Sequence, residues 1–488
     1  MNNIMAQIKE KARYWKSMDR SNEEKRREAE KYYKENIMPL LVTMFKESES
    51  DVQDCEHLIL TLGTSYEPVV FSILGLKPKN VLILYTPESR NKLDDVIYFT
   101  NLKPSQYEAE EVDSTNILIL YEKIKNYYER YGKPQNTYVD FTGGTKAMSV
   151  GCGMAAALIG SKVVYIASKY LNEYRKPEPG TERICVIDNP YEVFGDIRRK
   201  EAVSLFNKMD YNTAYYVFSE LSDTVPGTKE YEALKYLSLA YDQWDSLNIF
   251  QALENLKQCK RSAEKECIMN KNHLLAKHLE ILEKQIKYLE KLNNVDLKNT
   301  NKNKRLLFKN IEYLIFMLYQ NALRREQQGK YEMASLLLYR ILEMMSQSRL
   351  WERGIDTEQV TEENYSTLGM EPEVLLQKIN YIKKKIEEKP LESLPSEISL
   401  LMGYIILGVI RDNLIEAENE NKLIRKIREL KGKVISRNNG IFAHGFQFQE
   451  KESYEKFKIT VMEYLIRYCH IQSINMDEIL KEMEFIKL

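Results

Sequence analysis

Two short stretches of this 488-residue chain gather side chains suited to ligand binding or catalysis. The first reads Asp140-Phe-Thr-Gly-Gly-Thr-Lys-Ala-Met148 and follows the β-type run 136–141. Paired glycines let a backbone approach a ligand closely and adopt positive φ. Thr142 or Thr145 can act as a helix N-cap, which turns the free amides of the next turn, with the charge of Lys146, toward an anion. A companion loop, Thr61-Leu-Gly-Thr-Ser65, follows the first β-type run in the same manner. In open α/β sheets ligands bind beyond the carboxyl ends of strands, so the two loops point to a pocket for a phosphate-bearing ligand. The competing reading of TGGTK is an ordinary tight turn between strand and helix.

The second stretch, Ser436-Arg-Asn-Asn-Gly-Ile-Phe-Ala-His-Gly445, places Arg437 seven residues before His444. On an unbroken helix the two share a face about 10.5 Å apart along the axis, although Gly440 interrupts the pattern. Long side chains so placed can flank a phosphodiester. A guanidinium stabilises charge on a phosphorane-like transition state, and an imidazole titrating near neutrality moves the proton of a 2′-OH or a 5′-O. Asn438 is suited to orient the phosphate or His444. Such chemistry requires no metal. A surface Arg beside a helix-end His is the competing reading.

Other candidates carry less. His273 and His278 read as solvated positions in Lys-rich helix; His57 and the Cys469–His470 pair read as structural. The six Cys form no CxxC pair and read as reduced thiols of a cytoplasmic protein. GxxxxGK[ST] does not occur. Gly151-x-Gly153-x-x-Ala156 falls inside a predicted helix, where its small residues allow close packing on the sheet.

The elements that must position these residues divide the chain in two. Nine of 13 Pro and ten of 19 Gly precede residue 196, whereas residues 228–328 contain neither. Short apolar runs at 57–62, 81–85, 136–141, 162–167 and 182–187 suit strands covered on both faces, as in parallel sheets. Helical segments at 67–76, 115–131 and 146–159 alternate with them, which predicts a doubly wound, Rossmann-like domain over roughly residues 50–190. The first 50 residues are charged and helical in pattern, and beyond Tyr191 the chain reads as helices.

Charge adds little: 71 Lys+Arg against 72 Asp+Glu give no warrant for non-specific binding to nucleic acid or membrane. A local excess at 251–310, 14 basic against 7 acidic residues, reads either as a polyanion-facing surface or as a solvated helical face. The N-terminus lacks the apolar region of a secretory signal, and the longest apolar run, 398–410, suits a buried helix.

LTLGTSYEP and DFTGGTKAMS, in that order, resemble the CARF ligand-sensing domain of type III CRISPR accessory proteins. SRNNGIFAHG resembles the R-x(4–6)-H signature of HEPN ribonucleases, and 321–343 is similar to a helical segment in a subgroup of these proteins. The resemblance implies an α/β Rossmann-like sensor followed by an all-α region that ends in a HEPN-type helical nuclease. The corresponding divisions are a helical extension at 1–50, the sensor at 51–195, a helical middle region at 196–310 and the ribonuclease at 311–488.

It further implies a homodimer that takes cyclic tetra- or hexa-adenylate as allosteric activator and needs no cofactor. A composite site, one Arg and one His from each subunit, would cut single-stranded RNA to a 2′,3′-cyclic phosphate and a 5′-OH. Carried onto this chain, Arg437 and His444 are catalytic, with Asn438 as helper. Gly63, Thr64, Ser65, Thr142, Gly143, Gly144, Thr145 and Lys146 line the activator pocket. Thr145 and Lys146 also match positions suited to slow cleavage of the activator. The rival reading is a CARF-type regulator whose helical C-terminal region binds DNA or protein without nuclease activity. A third is an interaction protein in which Arg437 and His444 are structural.

Overall fold

The computed structural model describes residues 2–48, 54–226, 229–295, 304–441, 445, 446, 448 and 450–488. They form two compact units, Met1–Arg198 with Thr224–Pro226, and Arg199–Asp223 with Gly227–Leu488.

The first unit is built on β1 (His57–Leu62), β2 (Asn80–Tyr85), β3 (Tyr107–Glu111), β4 (Thr137–Asp140), β5 (Lys162–Ala167), a short hairpin of β6 (Tyr170–Leu171) and β7 (Lys176–Pro177), and β8 (Arg183–Ile187). Its six-stranded sheet has the order β3-β2-β1-β4-β5-β8. The chain runs outward from β1 to β3, then returns to β1's other side with β4, so the switch point lies between β1 and β4.

The helices are α1 (Asn2–Ser17), α2 (Glu23–Tyr32), a π-helical turn (Tyr33–Ile37), α3 (Met38–Glu47), α4 (Glu67–Leu76), α5 (Leu93–Thr100), α6 (Ile117–Arg130) and α7 (Lys146–Ile159). Strand alternation sorts them onto two faces. Leu58, Leu60 and Leu62 share a core with Trp15, Tyr33, Leu41, Phe45 and Phe71, while Ile59 turns to the opposite core with Leu120, Ile124 and Cys152. The N-terminal helices are thus a layer of the sheet unit.

Three details differ from the sequence reading. β8 pairs antiparallel with β5, so the sheet is mixed rather than wholly parallel. β3 (YEAEE) was hidden because this edge strand is only partly buried and carries no apolar run. Gly151 faces α6 rather than the sheet: a Cβ there would sit 3.0 Å from Leu120 and 3.1 Å from Ile117, while Gly153 faces open space.

The second unit is helical. Its main elements are α8 (Glu230–Asp245), α9 (Ile249–Met269), α10 (Leu279–Asn293), α11 (Ile311–Gln327), α12 (Tyr331–Trp351), α13 (Leu400–Val409), α14 (Glu420–Asn438) and α15 (Lys451–Gln472). Asp245 at the end of α8 ties the first helices to α11: its carboxylate accepts from Arg324 Nε at 2.7 Å and from Arg325, and its carbonyl accepts from Asn321 at 2.7 Å. That explains the NALRR stretch structurally. Four lysines of α9 and α10 pair with neighbouring glutamates: Lys257–Glu290 (2.9 Å), Lys260–Glu264 (3.4 Å), Lys284–Glu280 (2.8 Å) and Lys287–Glu283 (3.4 Å), which favours a solvated, ion-paired face over a polyanion site. His273 corrects its expected exposure: it is buried, its Nδ1 accepts the Leu275 amide at 2.9 Å, and burial lowers its pKa. α13 carries the longest apolar run and is buried; no helix among the described residues is long and apolar enough to cross a membrane.

Candidate functional site

The sheet brings both Gly/Thr loops to its carboxyl edge, on either side of the switch point. They touch directly. Thr61 Oγ1 donates to the Gly143 carbonyl at 2.7 Å, and a Cβ at Gly63 would lie 2.6 Å from the Gly144 amide nitrogen. A Cβ at Gly143 would collide with the Thr61 carbonyl, and Gly144 has φ +85°, so side chains are excluded by contact at two positions and by backbone geometry at the third. Thr145 is the N-cap of α7: its Oγ1 accepts the Met148 amide at 3.2 Å and donates to the Ser114 carbonyl at 2.6 Å. Thr64, Ser65, Gly144, Thr145 and Lys146 are exposed on this edge, and Lys146 opens α7 with no ion-pair partner among the described residues.

Thr142 sits differently from its neighbours. Its hydroxyl donates to Asp140 Oδ1 at 2.5 Å and accepts the Ile166 amide at 2.8 Å, so it braces the turn. Asp140 is the residue that sequence reasoning passed over. It is buried at the end of β4, accepts from Ser72 and from the Thr142 amide (2.7 Å), and its pKa is raised by burial against those hydrogen bonds. An Asp two residues before Thr-Gly-Gly at a strand end was the available signal. Burial also pushes the nearby Cys152 thiol up to about 12, which removes it as a nucleophile at neutral pH.

The second candidate lies in the last turn of α14. The Arg437 guanidinium carbon stands 4.5 Å from the ring centroid of Tyr339 on α12, and Arg437 Nη1 donates to Asn438 Oδ1 at 3.1 Å. Ring and amide together fix a planar cation that keeps donors for an anion. Arg437 lines a cleft of ≈ 400 Å³ with Arg428, Lys433 and Ser436 of α14 and Glu450, Ser453 and Lys456 at the start of α15. α14 stops at Asn438, with the Gly440 amide donating to the Arg437 carbonyl at 3.0 Å, so the helix that carries Arg437 ends just before Gly440, the interruption that this glycine suggested. His444 itself lies outside the described residues. Tyr339, 98 residues from Arg437, had no local signal.

A switch-point sheet with paired Gly/Thr loops, on one chain with a helical unit that presents an Arg at a helix end, defines a sensor–effector protein of the CARF–HEPN kind. The comparisons bear on both helical parts. Residues 303–468 match the family model of the Csm6 HEPN domain and residues 194–289 that of the Csm6 6H domain, together more than half of the chain. The CRISPR system endoribonuclease Csm6 of Thermus thermophilus is 26% identical over 446 residues, covering 87% of this chain and 88% of that protein. The chain belongs to the Csm6 family of CRISPR endoribonucleases.

Among solved structures, Enterococcus italicus Csm6 bound to cyclic hexa-2′-fluoro-hexa-dAMP aligns with TM-score 0.48 and 13% identity over 88% of this chain and all of that one. Can2 from Sulfobacillus thermosulfidooxidans in complex with cyclic tetra-adenylate aligns with TM-score 0.22 and 15% identity over 38% of this chain and 58% of that one. The HEPN match favours the nuclease over the DNA- or protein-binding regulator.

Proposed function

We propose that this protein is an endoribonuclease of type III CRISPR defence, switched on by a cyclic oligoadenylate and cutting single-stranded RNA without metal in the cytoplasm. The observation that carries the activator half is the contact of the two Gly/Thr loops at the switch point, beside the α7 N-terminus and Lys146. Amides, hydroxyls and one cation face outward there, which suits the phosphates of a cyclic tetra- or hexa-adenylate.

In the effector half Arg437 holds the scissile phosphate and stabilises charge as the 2′-oxygen attacks phosphorus. His444 takes the 2′-OH proton or delivers one to the departing 5′-oxygen. The P–O5′ bond breaks, leaving a 2′,3′-cyclic phosphate and a 5′-OH. Asn438, already bonded to Arg437, orients that guanidinium. A composite site needs two subunits. Val150, Met154 and Leu158, spaced by four along α7 and each more than half exposed, offer an apolar surface to a second copy. Thr145 and Lys146 match positions suited to slow cleavage of the activator.

The test is cleavage of a fluorogenic single-stranded RNA in EDTA, alone and with cyclic tetra- or hexa-adenylate. Cleavage that appears with one ring alone supports the reading and names the activator. Silence with both rings, or an absolute need for a divalent cation, overturns it.

A further inference from the structure

The N-terminal helices and the β6–β7 hairpin take no part in the reaction above, yet their contacts end on the loop that holds Gly63, Thr64 and Ser65. Glu67 opens α4 two residues beyond Ser65 and is buried; its Oε1 accepts from Lys176 Nζ on β7 at 2.6 Å. The Lys176 ammonium also lies 4.4 Å from the ring centroid of Tyr33, in the π-helical turn between α2 and α3. The hairpin that carries Lys176 is fastened to α1. Glu178 pairs with Lys16 at 2.6 Å, the Tyr174 hydroxyl donates to the Lys16 carbonyl at 3.2 Å, and Arg20 lies over the rings of both Trp15 and Tyr174. Close by, the carboxyl of Glu182 is buried, accepting the Gly180 amide at 2.8 Å through Oε2 and leaving Oε1 unpartnered.

The loop 63–66 therefore has two anchors. One is the end of β1; the other is Glu67, whose buried carboxylate is held by a cation from the hairpin. With its carboxylate buried and its ammonium partly covered, this pair is screened less by salt than the exposed pairs elsewhere on this unit. We propose that Glu67 and Lys176 are positioning residues for the activator loop, through which the N-terminal helices set the affinity for the cyclic oligoadenylate. They act through residues 63–65 and do not touch the activator. The inference rests on the reading of those residues as part of the activator pocket.

The experiment is an activator titration of RNA cleavage with cyclic tetra- and hexa-adenylate for the full chain, Lys176→Met, Lys176→Arg and the double variant Glu67→Gln/Lys176→Met. Lys176→Met should raise the half-maximal activator concentration about tenfold while the saturated rate stays within about twofold of wild type. Lys176→Arg, which keeps the cation, should recover most of the loss. The double variant buries no unpaired charge and therefore folds even if Lys176→Met does not; it should still need more activator. A folded double variant with an unchanged half-maximal concentration, or a loss confined to the saturated rate or the melting temperature, overturns the proposal. A wild-type enzyme that neither ring activates overturns the activator reading itself, and this inference with it.

Discussion

The two sites of this protein are made in opposite ways. The turn at the switch point is held by close backbone contact and by hydroxyls: Thr142 to Asp140 and Thr145 to Met148 within the turn, and Thr61 to Gly143 between loops 82 residues apart. The Arg437 site depends on a helix ending, on a ring 98 residues away, and on a cleft between α14 and α15. Under the proposed reading the first is a receptor whose two loops are already in contact. The second presents one oriented cation and needs other groups to complete it, which suits an effector that must stay silent until told otherwise.

Substitutions can break that contrast in order of size. Arg437→Ala should lower activated RNA cleavage at least about a hundredfold, as loss of a transition-state donor does, while calorimetric binding of the activator is retained. His444→Ala should behave alike; activator binding lost together with cleavage would mean that the two sites are not separable in function.

Gly143→Ala should act on the other site. Its Cβ meets the Thr61 carbonyl, so the loops must part, with a cost to the sheet unit of about 1–3 kcal/mol and loss of activator binding. Thermal melts and a binding isotherm read both, and an unchanged isotherm would show that the close contact of the loops is dispensable.

A pH series sharpens the comparison, because the sheet unit buries the carboxyls of Glu67, Asp140 and Glu182. Glu182 is pushed up to about 7 from an ordinary 4.5, chiefly by burial, with Glu67 adding to the shift. Between these values the folded protein holds a proton that the unfolded chain has released, so stability falls as pH rises from 4.5 to 7 and then levels off. The span corresponds to about 3 kcal/mol. Glu182→Gln should flatten this part of the profile and melt higher than wild type at pH 8; equal melting temperatures there would count against the burial argument. The smallest effect is expected for Lys146→Ala, which removes an exposed cation and should weaken activator binding by about fivefold in calorimetry. Unchanged affinity would take Lys146 out of the pocket.

Much of the sensor could be read from residue order because its chemistry is local. The runs at 57–62 and 162–167 are strands with those bounds, and the helices at 67–76 and 146–159 likewise. β1 is buried along its whole length and largely apolar, β5 alternates more but keeps an apolar run, and a turn needing two glycines and a capping Thr shows them side by side. The effector was legible only as a spacing of Arg and His around Gly440, and the helix that carries Arg437 stops at Asn438. The polar edge strand β3 and the antiparallel direction of β8, itself read as a strand at 182–187, escaped for a related reason: pairing direction and half-burial leave no pattern in a single run.

By itself the sequence determined the alternation of strands and helices and the glycine turn with its cap. These depend on neighbours within a few residues, where propensity and hydrogen bonding act without the rest of the fold. Only the tertiary structure decided that Lys176 would hold Glu67 across 109 residues, that Tyr339 would carry Arg437, and that Asp245 would gather Asn321, Arg324 and Arg325. Such pairs form between charges and rings common everywhere in this chain. Which of them meet is settled by the packing of sheet and helices, once burial makes the right partner necessary and the wrong one costly.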